Sequence, residues 1–395
     1  GKPFIVCLRS AYEKAFSAIW DSNITSLITA VILFWLASGS IKGFAVTTSV
    51  GIITSLLGAI VVTRVLFFWA EHLGLLKEFT FARAPFQGKR FDFMKYRKHA
   101  MIGSSGILLA GLAYSVFVRG ESALGVDFMG GSTSTYVVPT DSKLEYKQLE
   151  NYVENMKLSK KATTQQFTSA TDTSIKIRCA SKEEAERIDA ELRANVPGVK
   201  ELQAPSIEEV SAALGSAFFK TALIALAAGM LGITIYLAIR FEWSFAMGAF
   251  FSTLHDVLAI IILVVVMGTE LSIIHIGAFL TVAGYSINDT IVIYDRIREH
   301  LRLAEPGEKL VDIMNDAINT TLSRTLLTSG STIAALIALL ALGGPSMWDF
   351  SITMLLGIFI GTYSSIYIAS PVVLYFDSRG DLRKELQEAD DAVGV

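Results

Sequence analysis

Charge is scarce in this sequence: Asp, Glu, Lys and Arg make up 18% of its 395 residues, and the formal net charge is −3. A net charge near zero speaks neither for nor against nucleic acid, but no basic stripe interleaved with aromatics appears, so no nucleic-acid partner is expected. Cysteine is rarer still, with two residues in all. Cys7 and Cys179 form no CxxC pattern and no metal-ligand cluster accompanies them, so no metal or cofactor is expected. The chain opens on Gly1, with neither a charged n-region nor a cleavage site, which reads as a piece of a longer polypeptide.

What fills the chain instead is apolar. With 52% hydrophobic residues and a mean hydropathy of +0.49, it carries too much apolar surface for a soluble domain, and the bilayer must be its solvent. A membrane span needs about 20 mostly apolar residues. Eight candidates are read at 23–38, 43–69, 100–118, 215–239, 244–267, 271–294, 318–342 and 350–376. Lys77, Arg83, Lys89, Arg90, Lys95, Arg97 and Lys98 gather between 70 and 99, and Arg296, Arg298, Arg302 and Lys309 between 295 and 317. Positive loops stay in the cytoplasm. Both termini are therefore expected inside, the segment 119–214 outside, and Cys7 and Cys179 on opposite sides, unable to pair.

Sliding the chain on itself by 306 positions aligns Gly1–Trp69 with Gly307–Tyr375 without a gap, with identities such as Ala11/Ala317, Gly51/Gly357 and Ile60/Ile366. Such a parallel repeat about an axis along the membrane normal is a common transporter plan. It predicts that material resembling residues 100–306 precedes Gly1.

Within 119–214 the periodicity changes. Ser132–Val138 reads as a strand, Lys143–Lys157 as a helix, and Thr164–Thr168 and Ser174–Cys179 as strands around a Thr171-Asp172 turn. Ser181 reads as the N-cap of a helix running to about Asn195, and a final strand follows Gly198. The order β-α-β-β-α-β predicts a small ferredoxin-like domain, expected to serve as a docking or lever module. The expected fold is an all-α polytopic membrane bundle of about eight helices with this one α+β domain on the far side. Its parts are the last two spans of a truncated half (1–69), a basic linker (70–99), a further span (100–118), the exported domain (119–214), five more spans (215–376) and a cytoplasmic tail (377–395).

Ionisable residues inside spans cost a few kcal/mol each and are functional hypotheses by default. Asp289 lies six residues before Asp295, taken as the inner helix end, or roughly 9 Å into its span. Arg324 lies at a similar depth on the next span, and the two are expected to pair. Proton affinity at Asp289 would then depend on the distance of Arg324, which suits proton movement. His255 and Asp256 fall in mid-span; Asp256 either joins the same polar interior or is a neutral acid bonded to backbone. Glu270 and His275 at the outer edge read as surface residues. Gly357, Gly361, Ser364 and Ser365 recur at helical spacing, as on small-residue packing faces.

The runs GVDFMGGS (125–132), LHDV (254–257), GYSINDTIVIYDRIRE (284–299), LSRTLLTSGST (322–332) and FSITMLLGIFIGTYSSIYIASPVVL (350–374) resemble the SecF part of the SecD/SecF family of protein-export membrane proteins. AYEKAFSAIWDSNITSLITAVILF (11–34) and GFAVTTSVGI (43–52) resemble the last two spans of the SecD part. Together they correspond to the carboxy-terminal portion of a fused form, in the resistance-nodulation-division superfamily. The resemblance implies a proton-motive-force-driven accessory of the Sec translocon in the bacterial inner membrane. Its implied partners are the translocon channel, small membrane subunits, unfolded secretory proteins, lipids and the missing SecD half. It places the proton relay on Asp289 and Arg324, with the proton gradient, or sodium, in the role of a cofactor; His255, Asp256, Tyr285 and Asn288 are expected as supporting polar groups in the membrane. A proton-driven exporter of lipid or small molecules would need larger exported domains, and an intramembrane aspartyl protease would need a GxGD-like motif that is absent.

Overall fold

A computed structural model describes residues 4–36, 39–75, 86, 89–139, 144–158, 162–168, 172–305 and 307–377. Lys77, Arg83, Thr171 and the tail beyond Asp377 lie outside them. Eight helical segments among these residues are long and apolar enough to cross a membrane. The first is α1 (Phe4–Leu36), and the second joins α2 (Gly39–Leu57), a π turn (Gly58–Val62) and α3 (Thr63–His72). The third is α4 (Arg97–Tyr114), followed by a π turn (Ser115–Arg119) and a short α5 (Val126–Met129). Then comes the small domain: β1 (Gly131–Pro139), α6 (Tyr146–Asn155), β2 (Thr163–Thr168), β3 (Asp172–Cys179), α7 (Lys182–Asn195) and β4 (Ser206–Val210). Four more spans are α8 (Ala212–Arg240), α9 (Trp243–Val266), α10 (Ile273–Leu303) and α11 (Leu310–Leu342). The last combines α12 (Pro345–Ser364), a π turn (Ser365–Ala369) and α13 (Ser370–Phe376).

The internal repeat reappears in the element boundaries. The π turns of the second and last spans begin at Gly58 and Ser365, one residue from the same offset. Pro371 follows only the second turn, since Val65 takes its place in the first copy. A proline removes one N–H from the helix ladder, but a widened turn present in both copies does not arise from the proline. In the second copy the Ser370 hydroxyl donates to the carbonyl of Ser365 at 3.1 Å.

Helices α9, α10 and α12 form the centre of the bundle, while α2, α4 and α11 are its most exposed spans. Close approach at the centre depends on residues without side chains. A Cβ at Gly357 of α12 would lie 2.6 Å from Cγ1 of Val282 on α10, and one at Gly361 would lie 3.0 Å from Ser286 Cβ. Helix α1 reaches α10 in the same way at Gly284, where a Cβ would lie 2.7 Å from Ser26 Oγ.

Two helices run further than their apolar runs. Helix α10 continues eight residues past Asp295 to Leu303, and α11 begins at Leu310 rather than near 318. These extensions carry charge and are held by it: Arg298 pairs with Glu242 at 3.2 Å and Arg296 with Glu299. Under α11, Asn319 accepts from the amide of Phe91 and donates to its carbonyl, both at 2.8 Å, which fixes the end of the basic linker.

The small domain is a four-stranded antiparallel sheet in the order β2-β3-β1-β4. Its core gathers Tyr136, Ile175 and Ile177 from the strands with Leu149, Val153, Ile188 and Leu192 from α6 and α7. Ser181 caps α7, accepting from the amide of Glu184 at 3.3 Å, as its place before two glutamates predicts. The opposite sheet face meets the bundle. Lys176 donates to Asp349 of α12 at 2.9 Å, Arg178 pairs with Glu270 at 3.4 Å, and Thr163 donates to Glu270 at 2.9 Å.

Glu270 and His275 are thus not surface residues. Burial pushes the Glu270 carboxyl above the usual range against the pull of Arg178 and Thr163. His275 is fully buried, and its Nδ1 accepts from the amide of Ser272 at 3.0 Å in a capping box at the start of α10. Helix caps escape a hydropathy reading, because they depend on three residues and not on a run.

Two consequences are measurable. Gly357→Ala forces a methyl group into Val282 and is expected to lower stability by about 1–3 kcal/mol; Gly330→Ala on α11, with nothing within 4 Å of its Cβ, is expected to leave it unchanged or raised. Thermal unfolding in detergent compares the two, and equal midpoints would contradict close α10–α12 packing. Burial pushes the Cys179 thiol up to about 11, so in a Cys7→Ser background at neutral pH it is expected to resist alkylation until the small domain unfolds. Rapid labelling of the folded protein would contradict that burial.

Candidate functional site

The middle of α10 carries Tyr285, Ser286, Asn288 and Asp289 within two helical turns; Tyr285, Asn288 and Asp289 stand at i, i+3 and i+4 on one face, with Ser286 at its edge. Asp289 turns toward α11 and α12. Its Oδ2 accepts from the Ser329 hydroxyl at 3.4 Å, and Ser329 shares a hydrogen bond of 2.9 Å with Thr362. These groups line a cavity of about 40 Å³ together with Tyr285, Ser286, Asn288 and Thr328. A space of that size holds a water molecule when it is polar, as this one is.

Tyr285 and Asn288 also line a second cavity, of about 440 Å³, between α10 and the first two spans. Its α1 wall presents Ser22, Asn23, Ser26 and Thr29, and its α2 wall Thr48 and Ser55. Tyr285 and Asn288 thus line both spaces. A hydroxyl-lined cavity beside a carboxyl, within the membrane-spanning region, is a place for water and for the movement of small cations.

A second carboxyl lies deeper. Asp256 on α9 is fully buried. Its Oδ2 accepts from Ser286 of α10 at 2.5 Å and from Ser364 of α12 at 2.7 Å, and its Oδ1 lies 3.0 Å from Nδ1 of His255. Ser252 donates to Ser364 at 3.1 Å, and Nε2 of His255 meets the hydroxyl of Ser104 on α4. Four helices therefore converge on one carboxyl. Of the two readings left open by sequence, Asp256 belongs to the polar interior, and its partners are side chains rather than backbone. Ser364 does more than allow close packing, since its hydroxyl is one of those partners.

The expected pair of Asp289 and Arg324 is not formed. Arg324 is exposed on α11, and no ion pair joins it to Asp289 among the described residues. Counting depth from the ends of the apolar runs put the two level. The real register is set by packing, which brings Ser329 opposite Asp289, and Arg324 stands five residues away, about 7.5 Å along the helix.

One buried charge went unread in the sequence. Asp21 on α1, 4% exposed, accepts from Nε of Arg240 at both oxygens, at 3.0 and 3.2 Å, and from the Tyr236 hydroxyl at 2.8 Å. It fastens α1 to α8. Because α1 begins at Phe4 rather than near 23, Asp21 is in mid-helix; the charged residues before it hide the start of the helix from a hydropathy window.

Comparison with known proteins follows the same lines. The family described as "Protein export membrane protein SecD/SecF, C-terminal" matches residues 191–379. The protein translocase subunit SecDF of Thermus thermophilus is 32% identical over 401 residues, covering 99% of this chain and 52% of that protein. The protein translocase subunit SecF of Thermodesulfovibrio yellowstonii is 36% identical over 286 residues, covering 72% of this chain and 93% of that protein. The crystal structure of SecDF, a translocon-associated membrane protein from Thermus thermophilus, superposes with a TM-score of 0.81 at 30% identity, over 96% of this chain and 51% of that one. The chain thus spans about half the length of its SecDF relatives. Matching a SecF protein over nearly its whole length, and a SecDF structure over nearly all of its own, the chain belongs to the SecD/SecF family of protein-export membrane proteins.

Proposed function

We propose that this chain is the carboxy-terminal part of a proton-motive-force-driven accessory of the Sec translocase, assisting late steps of protein export across a bacterial cytoplasmic membrane. The observation that carries the reading is Asp289, a carboxyl inside the bundle in a small polar cavity that shares its Tyr285 and Asn288 lining with a larger one. Such a group exchanges protons with water that reaches it, and each proton crossing the membrane yields about 2.3 kcal/mol per 100 mV.

In the proposed cycle the arrangement with Asp289 on Ser329 is one state. In the other, α11 shifts by about five residues, roughly 7.5 Å along its axis, and turns so that Arg324 meets the carboxylate. A guanidinium favours the charged form and drives the proton off; withdrawal of Arg324 favours recapture. The same chemistry admits sodium in place of the proton. The SecDF relatives are about twice as long, and a second set of spans against α11 would shield Arg324 from lipid.

The small domain is read as a ferredoxin-like module on the extracytoplasmic side, with both termini of the described chain in the cytoplasm. The alternation of elements and the strand order β2-β3-β1-β4 support that assignment. Helix α10 links it to the site: the amide of Ile273, its first residue, donates to Asp127 beside β1 at 2.9 Å, and the same helix carries Asp289. Displacement of α10 would move the domain, which then pulls on or releases an emerging secretory protein. The translocon channel, its small membrane subunits and surrounding lipids complete the working assembly.

Asp289→Asn or Arg324→Ala in the full-length protein is expected to reduce export stimulation to the level of uncoupler-treated membranes, with insertion and unfolding temperature unchanged. Export into inverted vesicles, with and without an uncoupler, measures this. Undiminished, uncoupler-sensitive stimulation by the Asn variant would remove the mechanism.

A further inference from the structure

We propose that Asp256 and His255 form a second proton-carrying station, which passes protons between Asp289 and the end of the bundle away from the small domain, by way of Ser104. The inference rests on the proton reading of Asp289 and extends it to a route. Ser286 is the link: one helical turn before Asp289, it lines the same small cavity and donates to Asp256 Oδ2 at 2.5 Å. From Asp256 the bonds continue through Oδ1 to Nδ1 of His255, at 3.0 Å, and from Nε2 to Ser104 Oγ. Ser104 lies seven residues along α4 from Arg97, about 10 Å from that helix end. The route therefore leads from mid-bundle to α4, whose nearer end is the one distant from the small domain.

Each step conserves protons. Ser286 takes one from water on the Asp289 side and gives its own to Asp256, which becomes a neutral acid. Rotation of the carboxyl group carries that proton from Oδ2 to the His255 side, where Asp256 gives it to Nδ1 of a ring that starts with its proton on Nε2; the imidazolium releases the Nε2 proton to Ser104, which passes its own hydroxyl proton to water, and a flip of the ring restores the starting tautomer. The titratable neighbours are few. Helix α10 contributes Asp289, α12 contributes Tyr363, whose ring centre is 6.2 Å from that of His255, and α4 contributes none nearer than its basic end.

Two other roles fit the same atoms. A static lock would need only that Asp256 accept hydrogen bonds from neighbouring helices. A hydrolase would use Asp256, His255 and Ser104 in the Asp-His-Ser order, but Ser104 stands in the middle of a regular helix whose backbone N–H groups are all engaged, leaving no donors for an oxyanion.

The test is proton flux into proteoliposomes of the full-length protein under an imposed potential, read by an internal pH dye. Asp256→Asn keeps the shape and an acceptor oxygen but carries no proton. It is expected to lower the flux by about 100-fold or more, in the range that a positioned proton carrier contributes, with the unfolding temperature held. Asp256→Glu is expected to restore part of the flux, and His255→Gln to lower it to about the level of Asp256→Asn. Wild-type flux from Asp256→Asn, with Asp289→Asn inactive, overturns the station and leaves the Asp289 mechanism standing. Wild-type flux from Asp289→Asn overturns both. Should Asp256→Asn unfold, Ser286→Ala takes its place: it breaks the link while leaving Ser364 and His255 on Asp256, and unchanged flux would again overturn the route.

Discussion

A carboxyl group held among apolar helices must have its hydrogen bonds satisfied by the protein, because no bulk water is present to do so. That requirement organises this bundle. Asp21 draws α1 to α8, Asp256 draws α4, α9, α10 and α12 together, and Asp289 faces α11 and α12. The partners are mostly hydroxyls, whose short side chains demand close helices, and glycines at 284, 357 and 361 permit the approach. Polar satisfaction and small-residue packing are therefore one constraint: a larger residue at Gly361 would displace Ser286, and with it a donor to Asp256.

The three carboxyls that face helix neighbours within the bundle, Asp21, Asp256 and Asp289, are not equivalent. Asp21 meets a guanidinium at both oxygens, an arrangement that immobilises both partners. Asp256 takes neutral donors and an imidazole, so its charge is met by groups that themselves gain and lose protons. Asp289 has a single long hydroxyl contact and a cavity beside it. Of the three, Asp289 has the loosest hold, and Asp21 is a fastening between two helices.

Much of this was legible in the sequence, and for physical reasons. Eight apolar runs of the length of a bilayer give eight spans, and an exact offset of 306 positions fits a repeated pair of helices. Alternation in the small domain and the Ser181 cap are local signals that need no tertiary context. Asp289 stood out because a charge in an apolar run is conspicuous. Its neighbour could not be read off, since the register of α10 against α11 depends on how glycines and hydroxyls interlock between helices distant in sequence. Asp256 was visible as a charge but not as a junction, because Ser104, Ser286 and Ser364 come from three other helices. Helix ends were misjudged wherever ion pairs, such as Arg298 with Glu242, extend a helix beyond its apolar part.

Helix α10 is where these constraints meet. It is the most enclosed span, it begins in a cap fixed by His275 and by Asp127 of the small domain, and it carries both Ser286 and Asp289. A helix so tightly packed moves as a rod, since its own hydrogen bonds resist local bending far more than side-chain contacts resist sliding. Any rearrangement at Asp289 is then felt some 24 Å away at Ile273, sixteen residues along the axis. Lys176–Asp349 and Arg178–Glu270 tie the same sheet to α12 and to the loop before α10, so the domain rests on two elements at once. A relative shift of α10 and α12 would change the angle of the sheet rather than merely its height, and the tip of a tilted domain travels further than the helices beneath it.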